Sequence, residues 1–245
     1  MPSAIIVQAR CGSSRLPSKV LLKLDNKTIL EHVIDRVKGV KNIKKIIIAT
    51  TNKKKDEKII KIAKQNKCNY YAGSEKNVLN RYYEAAKKFN IKTIIRICSD
   101  SPFIDPLIIL KGLKIYRKNK YDYVSNIIEP TYPAGMSVEI FNFKSLQKSN
   151  YANTDMDEKE HVTPYIYRNP KIFNIKNFKI NKKCKKYRLS IDYKEDYLAC
   201  TEIQKIISKL NLPNSKITLQ KLSKIIDNNP SIRRINNKKN TILRY

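Results

Sequence analysis

The chain has 245 residues, of which 41% are hydrophobic, and this is enough for one large α/β domain with a substantial core. It has no apolar run long enough to cross a bilayer and lacks the features of a signal peptide at its start, so we expect a cytoplasmic protein without a membrane partner. The formal net charge is +30, but the lysines are spread over almost every segment, which argues against a focused nucleic-acid patch. Five scattered cysteines without a C-x-x-C pair argue against a disulfide framework or a zinc site.

Short apolar runs alternate with helical patterns along the first half of the chain. Strands are predicted at 4–9, 45–50, 68–71 and 93–97, and helices at 28–38, 55–66, 76–89 and 106–118. Gly39 is a predicted helix cap, and Pro106 suits a first helical turn. The alternation predicts a Rossmann-like α/β fold with a doubly wound, mostly parallel sheet. Right-handed crossovers would place the loops after the strands on one edge.

The second half of the chain is less regular. It contains a predicted strand at 137–141, a predicted helix at 157–168 and a predicted strand at 188–191. Pro164 leaves the start of that helix open. Two further helices are predicted at 194–209 and 217–228, followed by a basic tail.

A loop rich in cations follows the first predicted strand. Arg10, Arg15 and Lys19 could surround a polyanion, and Gly12 would let backbone N–H groups approach it closely. The end of a strand in an open α/β sheet is where nucleotides bind. Neither G-x-x-x-x-G-K-[ST] nor G-x-G-x-x-G occurs, which disfavours P-loop NTPases and dinucleotide-dependent dehydrogenases. Cys11 lies in the same loop, where cations could lower its thiol pKa, but a small filler residue is the favoured interpretation.

The opening motif at residues 8–19 resembles that of the sugar cytidylyltransferases, which include the acylneuraminate and 3-deoxy-manno-octulosonate enzymes. The similarity is closer to the branch of spore coat polysaccharide biosynthesis protein F. Further motifs of that branch occur in order at 73–83, 96–106, 122–126, 131–135, 160–166 and 188–192, so the resemblance covers roughly residues 4–235. It implies a fold of the nucleotide-diphospho-sugar transferase type. It also implies transfer of CMP from CTP to a sugar acid or sugar-like acceptor, with release of pyrophosphate.

The resemblance also implies roles for individual residues. The catalytic residues would be Arg10, Lys19, Asp100 and Asp192, with the two aspartates as Mg²⁺ ligands. Nucleotide binding would involve Ala9, Arg10, Gly12, Ser13, Arg15, Lys19, Gly73, Ser74, Glu75 and Arg81. Acceptor binding would involve Tyr132, Gly135, Glu139 and His161. One domain would then comprise a nucleotide-binding half (1–126), an acceptor and metal half (127–212) and a C-terminal helix with a basic tail (213–245).

The chemistry of these residue types agrees with the implied reaction. A triphosphate carries about four negative charges, which arginine and lysine side chains can offset. Magnesium is held by carboxylates beside phosphate groups. Helix capping is an alternative for Asp192. Asp155 and Asp157 superficially have the spacing of a metal site, but we predict that they lie in a loop or a helix cap. His161 could bind the acceptor, deprotonate it or have a structural role.

The sequence leaves the nucleotide and the acceptor open. GTP or UTP with a sugar 1-phosphate is an alternative pair of substrates, and a basic protein that binds nucleic acid or anionic glycan without turnover is an alternative of another class. Ser18 and Ser99 stand where the family commonly has glycine. Ala134 and Ser137 stand where this branch usually has aspartates. Having fewer carboxylates here favours a more anionic or less hydroxylated acceptor. Members of the superfamily are often dimers, and the sequence permits a homodimer.

Overall fold

A seven-stranded sheet organises the computed structural model, which describes residues 2–118, 120–152, 155–180 and 187–236. The strands are β1 (Ser3–Gln8), β2 (Lys23–Leu24), β3 (Lys27–Thr28), β4 (Lys45–Thr51), β5 (Asn69–Gly73), β6 (Thr93–Cys98), β7 (Tyr123–Ser125), β8 (Glu139–Asn142) and β9 (Ile175–Asn177). The helices are α1 (Ile29–Lys38), α2 (Glu57–Gln65), α3 (Val78–Lys88), α4 (Pro106–Lys118), α5 (Phe143–Tyr151), α6 (Met156–His161), α7 (Pro164–Arg168), α8 (Lys194–Lys209), α9 (Leu219–Asp227) and α10 (Pro230–Asn236).

The strand order is β5-β4-β1-β6-β8-β7-β9, while β2 and β3 form a separate hairpin. The strands β5, β4, β1 and β6 are parallel, whereas β8 runs antiparallel to both of its neighbours. This confirms the predicted mostly parallel α/β sheet. The chain winds outward from β1 through β4 to β5 and then returns to β6, so the order reverses between β1 and β6. A crevice at such a reversal is where open α/β sheets bind ligands.

Both faces of the sheet are covered, because β1 supplies side chains to two separate cores. Ile5 and Val7 pack on the face covered by α1, α4 and α8, whereas Ala4 and Ile6 pack on the face covered by α3 and α5. All four are fully buried. Burial on both faces explains why β1 has a continuous apolar sequence rather than an alternating one. The resulting rigidity fixes the loop that leaves the end of β1.

Two predicted elements differ from the structure. Residues 188–191 form no strand; a single parallel bridge joins Ala134 to Arg188. The predicted helix at 157–168 is instead two helices, α6 and α7, separated where Val162 adopts a φ of +73°. The sequence patterns also did not predict α5, α10 or the three-residue strands β7 and β9.

Other boundaries agree with the prediction. Gly39 ends α1, donating its N–H to the carbonyl of Arg36, and α4 begins at Pro106. The last part of the predicted basic tail, residues 237–245, lies outside the described residues. Within the described ranges, no helix combines the length and the apolar character that a membrane crossing requires.

Candidate active site

A cavity of about 470 Å³ opens at the sheet edge where β1 and β6 end. Its size is typical of small-molecule sites. The lining residues come from five segments: Gln8, Ala9, Arg10, Gly12, Ser13, Ser14, Arg15, Lys19 and Val20; Val78 and Arg81; Cys98, Ser99 and Asp100; Glu160 and His161; and Asp192. The cationic loop and both predicted metal ligands therefore meet in one place.

Lys19 lies at the centre of the charged groups. Its Nζ donates hydrogen bonds to Asp100 Oδ2 at 2.9 Å, Asp192 Oδ1 at 3.0 Å and the carbonyl oxygen of Ile191 at 2.6 Å. Burial by itself lowers the pKa of Lys19, but the two carboxylates outweigh burial and raise it above its ordinary value. One ammonium group thus joins two carboxylates that are distant in sequence.

Asp192 has two further cationic partners. Its Oδ1 accepts from Arg15 at 2.8 Å, and its Oδ2 accepts from Arg188 at 2.9 Å. Burial raises the pKa of Asp192, but Lys19, Arg15 and Arg188 outweigh this effect and lower it below the ordinary value. Asp192 therefore stays ionised in the folded protein.

Asp196 makes the capping contacts at the start of α8. One oxygen of its buried carboxylate accepts the backbone N–H groups of Asp192 and Tyr193, each at 3.0 Å. The other oxygen accepts from Arg188 at 2.7 Å. The backbone donors at the start of α8 are thus bound by Asp196, the third residue of the helix, while the side chain of Asp192 lines the cavity.

Arg10 connects the cationic loop to the opposite wall. Its Nη2 lies 3.1 Å from Glu160 Oε1, and its Nη1 donates to the backbone oxygen of Glu75 at 3.3 Å. The Glu75 carboxylate pairs with Lys55 at 3.0 Å. A Cβ at Gly12 would lie 2.7 Å from Glu75 Oε1, so a larger residue there would require this carboxylate to shift.

Arg81 is a nearly buried cation in the cavity wall. Its Nη1 donates to the carbonyl oxygen of Ser74 at 2.6 Å, while its Nε has no hydrogen-bond partner in the described part of the chain. Burial lowers the pKa of Arg81 to about 10. Gly73, Ser74 and Glu75 do not line the cavity themselves but lie directly behind this wall.

Cys11 is a small buried residue of the loop, which is the interpretation that the sequence favoured over a lowered thiol pKa. The thiol is buried beside Asp56, whose Oδ1 accepts the backbone N–H of Cys11 at 2.8 Å. Burial is the main cause that raises the pKa of Cys11 to about 11, and Asp56 adds to it. The small-filler interpretation agrees with the structure.

The four residues predicted to bind an acceptor are not brought together. His161 lines the cavity, with Nε2 3.6 Å from Asp157 Oδ1, but the other three do not. Tyr132 is buried, and its hydroxyl accepts from Lys111 at 3.1 Å. Glu139 is 2% exposed.

Gly135 has a structural requirement of its own. Its φ is +90°, and a Cβ there would lie 2.6 Å from the backbone carbon of Leu189. Glycine is therefore needed for the close backbone approach that forms the bridge between Ala134 and Arg188.

The prediction did not assign several residues that contribute to the site: Gln8, Cys98, Glu160, Arg188 and Asp196. Two of them had a usable signal, since Gln8 and Cys98 end paired strands of the predicted sheet. Arg188 and Asp196 lie four residues before and after Asp192, a spacing that could have suggested a charged cluster. Glu160 belongs to the motif at 160–166, but its ion pair with Arg10 could not be predicted because the two residues are far apart in sequence.

The pair Asp100 and Asp192 suits Mg²⁺, which proteins commonly hold through one or two carboxylates together with substrate phosphates. No group of three or more His, Cys, Asp or Glu side chains that could hold a metal occurs among the described residues. Of the two residues predicted to lie in a cap or loop, Asp155 is the N-cap of α6 and Asp157 lies in the first turn of that helix. Asp155 accepts the N–H of Glu158 at 2.7 Å at the start of α6, and Asp157 pairs with Arg168 at 2.6 Å.

Comparison with known proteins identifies the family. The sequence profile of the cytidylyltransferases matches residues 4–237. The chain is 38% identical to an uncharacterised protein of Methanocaldococcus jannaschii, over 94% of this chain and 93% of that protein. It is 30% identical to the spore coat polysaccharide biosynthesis protein SpsF of Bacillus subtilis, over 78% of this chain and 82% of that protein.

Solved structures agree with this assignment. A cytidylyltransferase from Leptospira borgpetersenii serovar Hardjo-bovis superposes with a TM-score of 0.88 and 32% identity, over 95% of this chain and 96% of that one. A CMP:2-keto-3-deoxy-manno-octonic acid synthetase in complex with CTP superposes with a TM-score of 0.64 over 86% of this chain and all of the other, at 15% identity, and so supports the fold alone. With its profile, its relatives and its fold in agreement, the chain belongs to the cytidylyltransferase family, whose members are nucleotidyltransferases.

Proposed function

We propose that this protein transfers CMP from CTP to a sugar-like acceptor and releases pyrophosphate, as a step in polysaccharide or glycan biosynthesis. The observation that carries the proposal is the gathering of Arg10, Arg15 and Lys19 beside two carboxylates at the reversal point of the sheet. CTP as the donor rests on membership of the cytidylyltransferase family. The biosynthetic role rests on the name of the spore coat relative.

The three cations of the loop form ion pairs with carboxylates that line the cavity. Arg10 pairs with Glu160, whereas Arg15 and Lys19 pair with Asp192. A triphosphate brings about four negative charges and can replace these carboxylates on the cations. The guanidinium groups can each bind two phosphate oxygens, while Lys19 acts as a point charge. Binding therefore exchanges ion pairs within the protein for ion pairs with the nucleotide.

Asp100 and Asp192 would hold Mg²⁺ beside the phosphates. When bound, the metal ion shields phosphate charge and polarises the phosphorus that is attacked. Lys19, which now lies between the two carboxylates, would then face the phosphate oxygens. Together with Arg10 and Arg15 it would stabilise the charge that develops on the departing pyrophosphate, the kind of preorganised electrostatic effect that dominates such transfers.

The remaining cavity walls suit the nucleobase and the acceptor. We place the nucleobase against the wall formed by Val78 and Arg81, which is backed by the segment at Ser74. His161 also lines the cavity and could take a proton from an acceptor hydroxyl. An acceptor that attacks through a phosphate or phosphonate oxygen would need no general base to remove a proton.

The proposal is tested by an acceptor screen that measures pyrophosphate release from CTP in the presence of Mg²⁺. The panel should contain neutral sugars, sugar acids and phosphorylated or phosphonylated alcohols. We expect acceptor-dependent release by the wild type. Asp100→Asn should abolish it while the fold survives, because one metal-binding oxygen is lost.

Asp35→Asn is a matched control, since Asp35 pairs with Lys27 away from the cavity. Wild-type release by Asp100→Asn would contradict the assigned role of Asp100. Release with UTP or GTP in place of CTP would keep the reaction and change the donor. Salt-sensitive binding of nucleic acid or anionic glycan that survives Asp100→Asn, without any release, would favour the alternative of a binding protein.

A further inference from the structure

The junction between α6 and α7 is a strained turn directly beside the cavity. The backbone N–H of Thr163 donates to the carbonyl oxygen of His161 at 2.9 Å, which closes a γ-turn around Val162. Val162 has φ +73° and ψ −47°, a conformation that is rare and unfavourable for a β-branched residue. The two residues before it, Glu160 and His161, line the cavity. The strained backbone therefore lies next to two residues whose side chains form part of the cavity wall.

A buried carboxylate holds the far side of this turn. The hydroxyl of Thr163 donates a hydrogen bond to Glu139, which also accepts from Tyr123 Oη at 2.8 Å and forms an ion pair with Arg96. Thr163 and Val162 are almost completely buried. Strained backbone persists only when its surroundings fix it from several sides, and such strain clusters at functional sites. Here the fixing contacts are the packing of Val162 and the Thr163 hydroxyl bound to Glu139.

The same ion pair reaches the cavity from a second direction. Arg96 on β6 lies directly opposite Glu139 on β8 in the sheet register. The Nε of Arg96 donates to Gln8 Oε1 at 3.2 Å, and Gln8 lines the cavity at the end of β1. One buried charge pair thus supports the wall at the end of β1 and the wall formed by α6.

We propose that Glu139 and Thr163 are positioning residues, which hold the turn at Val162 and so aim His161 and Glu160 into the cavity. Glu139 would then act from the core without contacting an acceptor itself. The consequence for catalysis rests on the proposed function, because the wall so positioned is the one we assign to the acceptor. The turn itself is a property of the fold and can be tested without turnover.

The test uses the two histidines of the chain as probes in a ¹H–¹³C NMR spectrum at one fixed pH. His161 is the first residue of the turn, whereas His32 is buried in α1, with its ring nitrogens bound to the Leu24 carbonyl and to Asn214. Thr163→Val removes the hydroxyl and keeps the volume. We expect the His161 Cε1–H signal to move or broaden while the His32 signal is unchanged. Thr163→Ser restores the hydroxyl and should restore the wild-type His161 signal.

Three results would overturn the proposal. The His161 signal could be unaffected by Thr163→Val, the two histidine signals could change together, or Thr163→Ser could fail to restore the spectrum. If Thr163→Val does not fold, Thr163→Ala is the second variant. Loss of the fold in both variants would assign the hydroxyl to core stability rather than to positioning. A failed acceptor screen would leave each of these readouts intact, so the two proposals fail separately.

Discussion

Replacing Lys19 by methionine tests the charged cluster most specifically. The variant loses three hydrogen bonds from Nζ, to Asp100, Asp192 and the Ile191 carbonyl. Asp192 keeps its ion pairs with Arg15 and Arg188. The destabilisation therefore comes mainly from Asp100, whose side chain also accepts a hydrogen bond from the Ser101 hydroxyl at 3.2 Å. The Lys19 side chain is only 12% exposed, so solvent screens these interactions weakly. We expect a loss of about 1.5–3 kcal/mol in the free energy of unfolding near neutral pH.

The pH dependence of this loss has a definite sign. The pKa of Asp192 lies below its ordinary value of 3.8, so its ion pairs stabilise the fold above that value and are lost as the pH falls through the folded pKa. The pKa of Lys19 lies above its ordinary value of 10.5, so its contribution is present below that value and is lost as the pH rises through the folded pKa. The difference in the free energy of unfolding between wild type and Lys19→Met should therefore be largest near neutral pH and shrink at both low and high pH.

Urea unfolding at several pH values measures this difference, and Lys27→Met serves as the control. Lys27 forms one ion pair with Asp35, and its side chain is 51% exposed, so its replacement should cost at most about 1 kcal/mol. Binding of CTP with Mg²⁺ should also weaken in Lys19→Met, by about one order of magnitude or more, because one cation facing the phosphates is lost. A variant as stable as Lys27→Met, with wild-type affinity for CTP, would refute the central position of Lys19.

Two further predictions follow from single positions. Gly135→Ala should cost more than about 2 kcal/mol in urea unfolding, because φ is +90° and the new Cβ would meet the backbone at Leu189. Gly112→Ala is its comparison. Gly112 lies inside α4, where a new Cβ would meet the side chains of Ile140 and Phe178 at 3.0–3.3 Å and no backbone atom, so the change should cost less than Gly135→Ala; equal losses would contradict the strain argument. Cys11 should resist iodoacetamide at pH 8 in the native protein and react after unfolding, since its pKa is raised to about 11. Rapid native labelling of Cys11, detected by mass spectrometry, would show that the thiol is activated.

Local sequence pattern was sufficient for the central part of the fold. The apolar run of β1 and the cations that follow it predicted both a buried strand and a polyanion site at its end. Topology then predicted that Asp100, after β6, would lie near Arg10. Both expectations combine a short-range sequence pattern with the geometry of parallel sheets. The apolar pattern of a strand is a strong signal when the strand is buried on both faces.

Long-range pairing accounts for what the sequence did not predict. Glu139 looked like a polar residue available to a ligand, but Arg96 on a neighbouring strand and Thr163 after α6 enclose it in the core. The predicted helix at 157–168 breaks at Val162 because tertiary contacts hold a backbone conformation that local propensity disfavours. The predicted strand at 188–191 had the right apolar pattern but pairs at a single position, Arg188. The break at Val162 has one local signal, Pro164, which begins α7. The enclosure of Glu139 and the single bridge at Arg188 have no signal within a few residues.

Thermal unfolding in the presence of Mg²⁺ with CTP, UTP, GTP or ATP in turn shows whether the cavity binds a nucleoside triphosphate. A ligand that binds only the native state raises the midpoint. We expect a selective rise with CTP that depends on Mg²⁺ and is lost in Asp100→Asn. A midpoint that no nucleotide raises, even at millimolar concentration, would contradict the assignment of this cavity to a nucleoside triphosphate.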